Sequence, residues 1–166
     1  ESGNVFLREE ATTFEDLQVP VMATVKGASD PPDNITVLGN LMVYGFKANK
    51  SDEIFFTVQL PHNYKEGSSL YPNVHWMPTN TNTGTVTWKL EYSWANNDDT
   101  FSSTTTTVSG TSNAIGTESK HQITPLGTIS GSGKKISSMI ICRLYRDGGV
   151  DSYNTDAALL EFDFHY

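Results

Sequence analysis

Ten consecutive residues, Thr85–Trp94, alternate between large apolar and polar side chains without an exception. A period of two places the two sets on opposite faces of a β-strand, whereas a helix would scatter the large side chains around its axis. The pattern predicts an antiparallel strand with one face in the core and one in water. The apolar set is Val86, Trp88, Leu90, Tyr92 and Trp94.

Shorter runs with the same period follow one another from Ile35 to the end of the chain, with polar or glycine-rich turns between them. Many strands with no helices between them predict an all-β fold, an antiparallel β-sandwich that is jelly-roll-like, with a closed barrel as the alternative. The segment 109–120 is small and polar and is predicted to be a loop. The further predicted strands are 35–37, 41–46, 53–60, 73–77, 102–108, 121–126, 136–146 and 158–166.

Residues 1–35 carry several prolines and glycines and are predicted to form an N-terminal arm or irregular lead-in before a sandwich domain at 36–166. Leu7, Ala11, Phe14 and Leu17 have helical spacing and predict one or two helical turns. Phe14 and Leu17 are the predicted contact residues of this arm, which either docks outside the domain or folds back on it. The first residue is Glu1, so we expect a removed leader or a piece of a longer chain.

The charge and composition of the chain limit the classes of partner that it is expected to bind. The 166 residues carry a formal net charge of −8 and include one cysteine, Cys142, so an intrachain disulfide is impossible. An acidic surface repels phosphate backbones and anionic lipids, which argues against nucleic acid as a partner. No apolar run approaches the roughly 20 residues of a membrane span, so no membrane insertion is expected.

Two groups of residues are candidate metal ligands. Asp147, Asp151 and Asp156 lie in one oxygen-rich loop and are the candidate calcium ligands, although the spacing is not that of an EF-hand and a polar turn between two strands explains the loop more simply. His75 and His165 lie on predicted strands, the second beside Asp163. They are predicted interface residues, with a metal site as the alternative.

No catalytic residue and no cofactor are predicted. The chain lacks a G-x-S-x-G elbow, and Cys142 lies in an apolar strand where a small core residue is expected. The glycine-rich turn Ser130–Lys135 lacks the strand and helix of a P-loop. The remaining enzymatic hypothesis is a hydrolase whose catalytic carboxylates, such as Glu91 and Glu161, are not part of a recognisable motif.

The large aromatic residues have two interpretations. Trp88, Tyr92 and Trp94 share one face with apolar neighbours, which favours a sandwich core over a sugar-stacking surface. Trp94 lies at the end of its strand and is predicted to be partly exposed. Trp94 and Tyr153 are therefore the candidate ligand-binding residues if the chain binds a glycan.

Four segments resemble, in order, a group of β-rich proteins of tailed phages and prophages. That group carries an "LPHDYKEG" segment, an "HVHW" segment, a "W-x-x-x-Y-x-W" strand and a closing "DFHY". The matching segments are Leu60–Gly67, Asn73–Trp76, Trp88–Trp94 and Asp163–Tyr166. The resemblance covers residues 53 to 166, and Asn73 replaces the first histidine of "HVHW".

The resemblance implies a jelly-roll-like virion structural protein without catalytic residues that assembles as a homotrimer. It implies partners in the same particle, as a capsid decoration or as a head or tail appendage. A carbohydrate-binding module of a tail fibre, with a host surface glycan as its ligand, is the alternative.

Overall fold

The computed structural model describes residues 15–166, which form two antiparallel β-sheets and one short 3₁₀ turn, Val21–Ala23. The all-β prediction is confirmed. Within the described residues, no helix is long and apolar enough to cross a membrane. The strands are β1 Asp16–Val19, β2 Val25–Lys26, β3 Asp33–Val37, β4 Leu41–Phe46, β5 Glu53–Gln59, β6 Tyr71–Pro78, β7 Thr83–Ala95, β8 Thr106–Ile115, β9 Gln122–Pro125, β10 Met139–Arg146 and β11 Ala157–His165.

The strand order is that of a jelly roll. The first sheet has the order β3-β4-β11-β6-β9, and the second has β2-β5-β10-β7-β8. From β4 onward the chain therefore builds two four-stranded halves, β4-β11-β6-β9 and β5-β10-β7-β8, as in two nested Greek keys. The two sheets are separate, so the alternative prediction of a closed barrel is wrong. The strand β1 extends the first sheet beside the end of β11.

The core lies between the sheets and is rich in aromatic side chains. Trp88 points inward from β7 and meets Phe46 of the first sheet edge-on, with ring centroids 4.9 Å apart. Trp76 points inward from β6 and donates a hydrogen bond to Thr124 Oγ1 at 2.9 Å. Burial of Val86, Leu90 and the tryptophans of β7 confirms the predicted core face of this strand.

One predicted loop is wrong. Residues 109–115 belong to the strand β8, which pairs with β7 along its length. The strand lies at the sheet edge and consists largely of Thr, Ser and Asn, so it has no apolar row to reveal it. Gly110 lets β8 approach β9 closely, because a Cβ there would lie 2.0 Å from the carbonyl oxygen of Pro125.

The described part of the predicted arm folds back on the sandwich. The strand β1 pairs with the last strand, and β2 pairs with β5 in the other sheet, so this stretch bridges the two sheets. Leu17 lies in β1, not in a helical turn, and packs against the core. Leu7, Ala11 and Phe14 lie outside the described residues.

Candidate functional site

The outer face of the first sheet carries a cluster of polar side chains. Along β6, Val74 and Trp76 point into the core, so Asn73 and His75 point outward because strand residues alternate. Asp163 of β11 lies directly opposite Asn73 in the strand register. The sheet thus assembles these side chains from segments that are far apart in sequence.

Asp163, His75 and His121 form a hydrogen-bonded chain that we call the histidine relay. His75 Nε2 lies 2.9 Å from Asp163 Oδ2, and His75 Nδ1 lies 2.9 Å from His121 Nε2. Asn73 donates to the other carboxylate oxygen at 3.2 Å. A carboxylate only accepts, so His75 donates from Nε2; in the neutral tautomer its lone pair is then on Nδ1, and His121 donates from Nε2.

The relay joins two segments that lie far apart in the sequence, since His75 belongs to Asn73–Trp76 and Asp163 to Asp163–Tyr166. The sequence identified His75 as a candidate but did not connect it to His121. His121 is the last residue before β9, and no motif surrounds it. Only the pairing of β9 with β6 brings it beside His75.

The other predicted interface histidine lies apart from the relay. His165 Nδ1 lies 3.0 Å from Asp16 Oδ1 of β1, and both side chains are partly exposed. This contact ties the N-terminal strand to the last one. Of the two predicted histidines, His75 contacts Asp163 and His121, and His165 contacts Asp16.

The two predicted ligand-binding aromatics are buried, so the structure overturns that assignment. Trp94 is 8% exposed and donates a hydrogen bond to Ser138 Oγ at 2.8 Å. Tyr153 is 1% exposed, accepts from the Thr79 amide at 3.0 Å and donates to Asn80 Oδ1 at 3.1 Å. A stacking surface needs an open ring face, which neither side chain has.

The acidic loop between β10 and β11 does not bring its carboxylates together as a ligand set. Asp147 pairs with Lys89 at 2.5 Å, and Asp151 pairs with the buried Arg146 at 2.6 Å. Asp156 lies elsewhere, in a polar groove of about 410 Å³ that Glu118 also lines. Across residues 15–166, no group of three or more His, Cys, Asp or Glu side chains is placed to hold a metal ion.

Cys142 is not suited to nucleophilic chemistry. Its side chain is buried on the inner face of β10. Burial raises the pKa of the Cys142 thiol far above its ordinary value, because the thiolate would lose its hydration. This position is a small apolar core residue, as the sequence predicted.

The outer face of the second sheet presents an apolar patch that the sequence did not single out. Val25 of β2, Phe55 of β5 and Ile141 of β10 form it, and all three are exposed. Val25 is paired with Phe55, and Ile141 lies diagonally across from Phe55. A groove of about 460 Å³ adjoins the patch, and Val19, Pro20 and Phe56 also line it.

Charged side chains border the apolar patch. Arg143 lies beside Phe55 in the register and pairs with Glu53 at 2.5 Å and Glu91 at 3.0 Å. The Thr105 hydroxyl and Arg143 hold the pKa of Glu91 below its ordinary value. The border therefore carries both signs of charge, and both carboxylates pair with the guanidinium group.

No protein-family model matches the sequence, and no curated protein matches it significantly. Among solved structures, an isomalto-dextranase of Arthrobacter globiformis T6 in complex with panose aligns with 90% of this chain, at 16% identity and a TM-score of 0.51. The alignment spans 23% of the length of that enzyme. A second similar structure is the CBM36-1 domain of a multidomain xylanase from the hindgut metagenome of Trinervitermes trinervoides, at 11% identity, covering 92% of this chain and 96% of that one with a TM-score of 0.49.

At such identities a structural likeness shows the fold and not the function. The strand order described above makes this chain an antiparallel β-sandwich of jelly-roll topology, and the dextranase alignment shows that a segment of that enzyme has a similar fold.

Proposed function

We propose that this chain is a non-enzymatic structural protein of a virus particle that acts by associating with copies of itself. The single observation that carries the proposal is the apolar patch on the second sheet. Val25 is 68% exposed on a two-residue strand beside Phe55 and Ile141. Exposed apolar side chains that adjoin one another and have a polar border are typical of protein interaction sites.

The edge of the second sheet beside the patch is also incomplete. The strand β2 pairs with Ile54 and Phe55 only. Within the described residues, the rest of that edge of β5 has no strand partner. Free edge groups favour the addition of another strand, and the adjoining groove would hold its side chains.

We infer that the occupant is a second copy of the chain. The border of the patch carries Arg143 between Glu53 and Glu91, so two copies can place opposite charges against each other. The resemblance to phage virion proteins implies a homotrimer, which a repeated contact of this kind would build by closing a ring.

Light scattering after gel filtration tests the proposal. The wild-type protein at micromolar concentration is expected at three times the chain mass of 18.3 kDa. The variant Val25→Glu/Ile141→Glu is expected as a monomer, because two carboxylates would have to be buried without partners. Val150→Glu is the matched control, since Val150 is equally exposed but lies in the loop after β10.

Three outcomes would contradict the proposal. A strictly monomeric wild type would remove self-association. An oligomer that persists in the double variant would show that the subunits contact each other through a surface other than the patch. A wild type that does not co-sediment with phage particles carrying the natural partners would remove the structural role in the virion.

Recognition of a glycan is the second candidate, and one observation favours it. Tyr71, 47% exposed, begins β6 on the outer face of the first sheet, paired with His165 and near the outward side chain of Asn73. An open aromatic ring with polar neighbours suits a sugar ring and its hydroxyls. Glycan-array binding that Tyr71→Ala abolishes and Phe101→Ala leaves intact would support this function, and an array without signals would remove it.

A further inference from the structure

The histidine relay lies on the first sheet, whereas the apolar patch proposed for self-association lies on the second. Nothing in the proposed function uses the relay. His75 is partly exposed and His121 is exposed, so solvent and small ions reach the atoms where the two rings meet. The relay therefore calls for an explanation of its own.

The two imidazole rings meet edge to edge. Their planes differ by 20°, their centroids are 5.1 Å apart, and the facing nitrogens are 2.9 Å apart. The nitrogen contact is much shorter than the centroid separation, so the ring edges, not the ring faces, are in contact. The lone pair of His75 Nδ1 points at the Nε2 atom of His121.

Asp163 orients His75 in the way that a carboxylate behind a metal-binding histidine orients that ligand. It accepts from His75 Nε2, which in the neutral ring leaves Nδ1 with the lone pair, and it is itself buried and held by Asn73. In metal sites the ligating histidine commonly donates its other N–H to a carboxylate, which fixes the tautomer and increases the basicity of the ligating nitrogen.

We propose that His75 Nδ1 and His121 Nε2 bind one divalent transition-metal ion, such as Zn²⁺. Two nitrogens that ligate zinc tetrahedrally at about 2.0 Å each are roughly 3.3 Å apart. The facing nitrogens are 2.9 Å apart, and their lone pairs must also be brought to an angle of about 109° at the ion, which a rotation of the exposed His121 provides. His121 then carries its proton on Nδ1, and its Nε2 lone pair faces the ion.

Two imidazoles select the class of ion. Neutral histidine nitrogens suit Zn²⁺, Ni²⁺ and Cu²⁺, whereas Ca²⁺ and Mg²⁺ prefer sets of oxygen ligands. The remaining coordination positions belong to water, since the part of the chain that the structure describes offers no third side chain in a ligand group. A bound ion would link the loop before β9 to β6.

Calorimetric titration of the full chain with ZnCl₂ at pH 7.5 tests the site. The wild type is expected to bind one Zn²⁺ per chain, and His121→Gln is expected to lose this binding. Asp163→Asn is expected to weaken the binding of Zn²⁺ by about 10- to 100-fold, which is the usual effect of removing the carboxylate that orients a ligating histidine. His62→Gln is the control, because His62 contacts Ser137 away from the relay and its loss should change nothing.

A second measurement separates metal binding from a structural role of the histidines. Thermal unfolding of the wild type is expected to shift upward by about 3 °C or more in excess Zn²⁺, because the ion binds only the folded arrangement. The His121→Gln variant should have the melting temperature of the metal-free wild type, and excess Zn²⁺ should not change it. No heat of binding to the wild type, or equal binding by His75→Gln/His121→Gln, would overturn the proposal.

Discussion

Asp151→Ala is expected to destabilise the fold more than the removal of any other carboxylate in the acidic loop. Arg146 and Asp151 are 0% and 1% exposed and form an ion pair at 2.6 Å. Removing one member of a buried pair leaves an uncompensated charge, which costs about 3–5 kcal/mol. The same change also removes the acceptor for the Thr87 amide, which lies 2.6 Å from Asp151 Oδ1.

The expected loss is a large share of the stability of such a domain. Folded proteins have free energies of unfolding of about 5–15 kcal/mol, and each kcal/mol changes the melting temperature by about 2–4 °C at this size. Asp151→Ala should therefore lower the melting temperature by roughly 6–20 °C. Urea unfolding followed by tryptophan fluorescence gives the free energy directly, since all three tryptophans are buried.

Asp147→Ala is the matched control. Its carboxylate pairs with Lys89 at 2.5 Å, but both side chains are partly exposed, and such pairs contribute about 0.2–1 kcal/mol. The reasoning would be refuted if the two single variants lost the same free energy of unfolding.

Replacing both Arg146 and Asp151 with apolar residues should not restore the free energy of unfolding of the wild type. Arg146 also donates to the backbone carbonyls of Phe46 and Thr155 at 2.7 Å and of Tyr153 at 2.6 Å. Arg146→Met/Asp151→Leu would leave these buried acceptors without a donor, each at about 1–3 kcal/mol. A double variant as stable as the wild type would show that the carbonyl contacts contribute nothing.

Three more predictions concern buried groups. Trp94→Ala should lower the free energy of unfolding in urea by about 3–5 kcal/mol, because it leaves a cavity in the core; an unchanged midpoint would contradict its burial. Burial raises the pKa of the Asp52 carboxyl, so the folded state binds a proton at this group more tightly than the unfolded chain does. In the unfolded chain the carboxyl titrates near roughly 3.9. The stability contributed by the bound proton is therefore lost as the pH rises from this value through the pKa of the folded state. Asp52→Asn should therefore flatten the pH dependence of unfolding above about pH 4, and a profile parallel to that of the wild type would refute this prediction. The Cys142 thiol should react with a disulfide reagent only after denaturation, and rapid labelling of the folded protein, followed by absorbance, would show that it is not buried.

The sequence by itself determined the fold class and most strands. Alternation over Thr85–Trp94 is a local property, since a period of two allows only one orientation of five large apolar side chains toward a core. The same reasoning assigned Cys142 to the core. It placed the strand after β7 at 102–108 and assigned most of β8, Thr106–Ile115, to a loop, because a polar edge strand carries no apolar row.

Tertiary structure alone decided which polar residues meet. The relay joins His75, His121 and Asp163, which lie up to 88 positions apart, through the pairing of β6 with β9 and β11. Strand order also placed Val25 beside Phe55 to make the apolar patch. Local patterns fix which face of a strand is buried, but contacts across a sheet depend on topology and register, which no stretch of sequence contains.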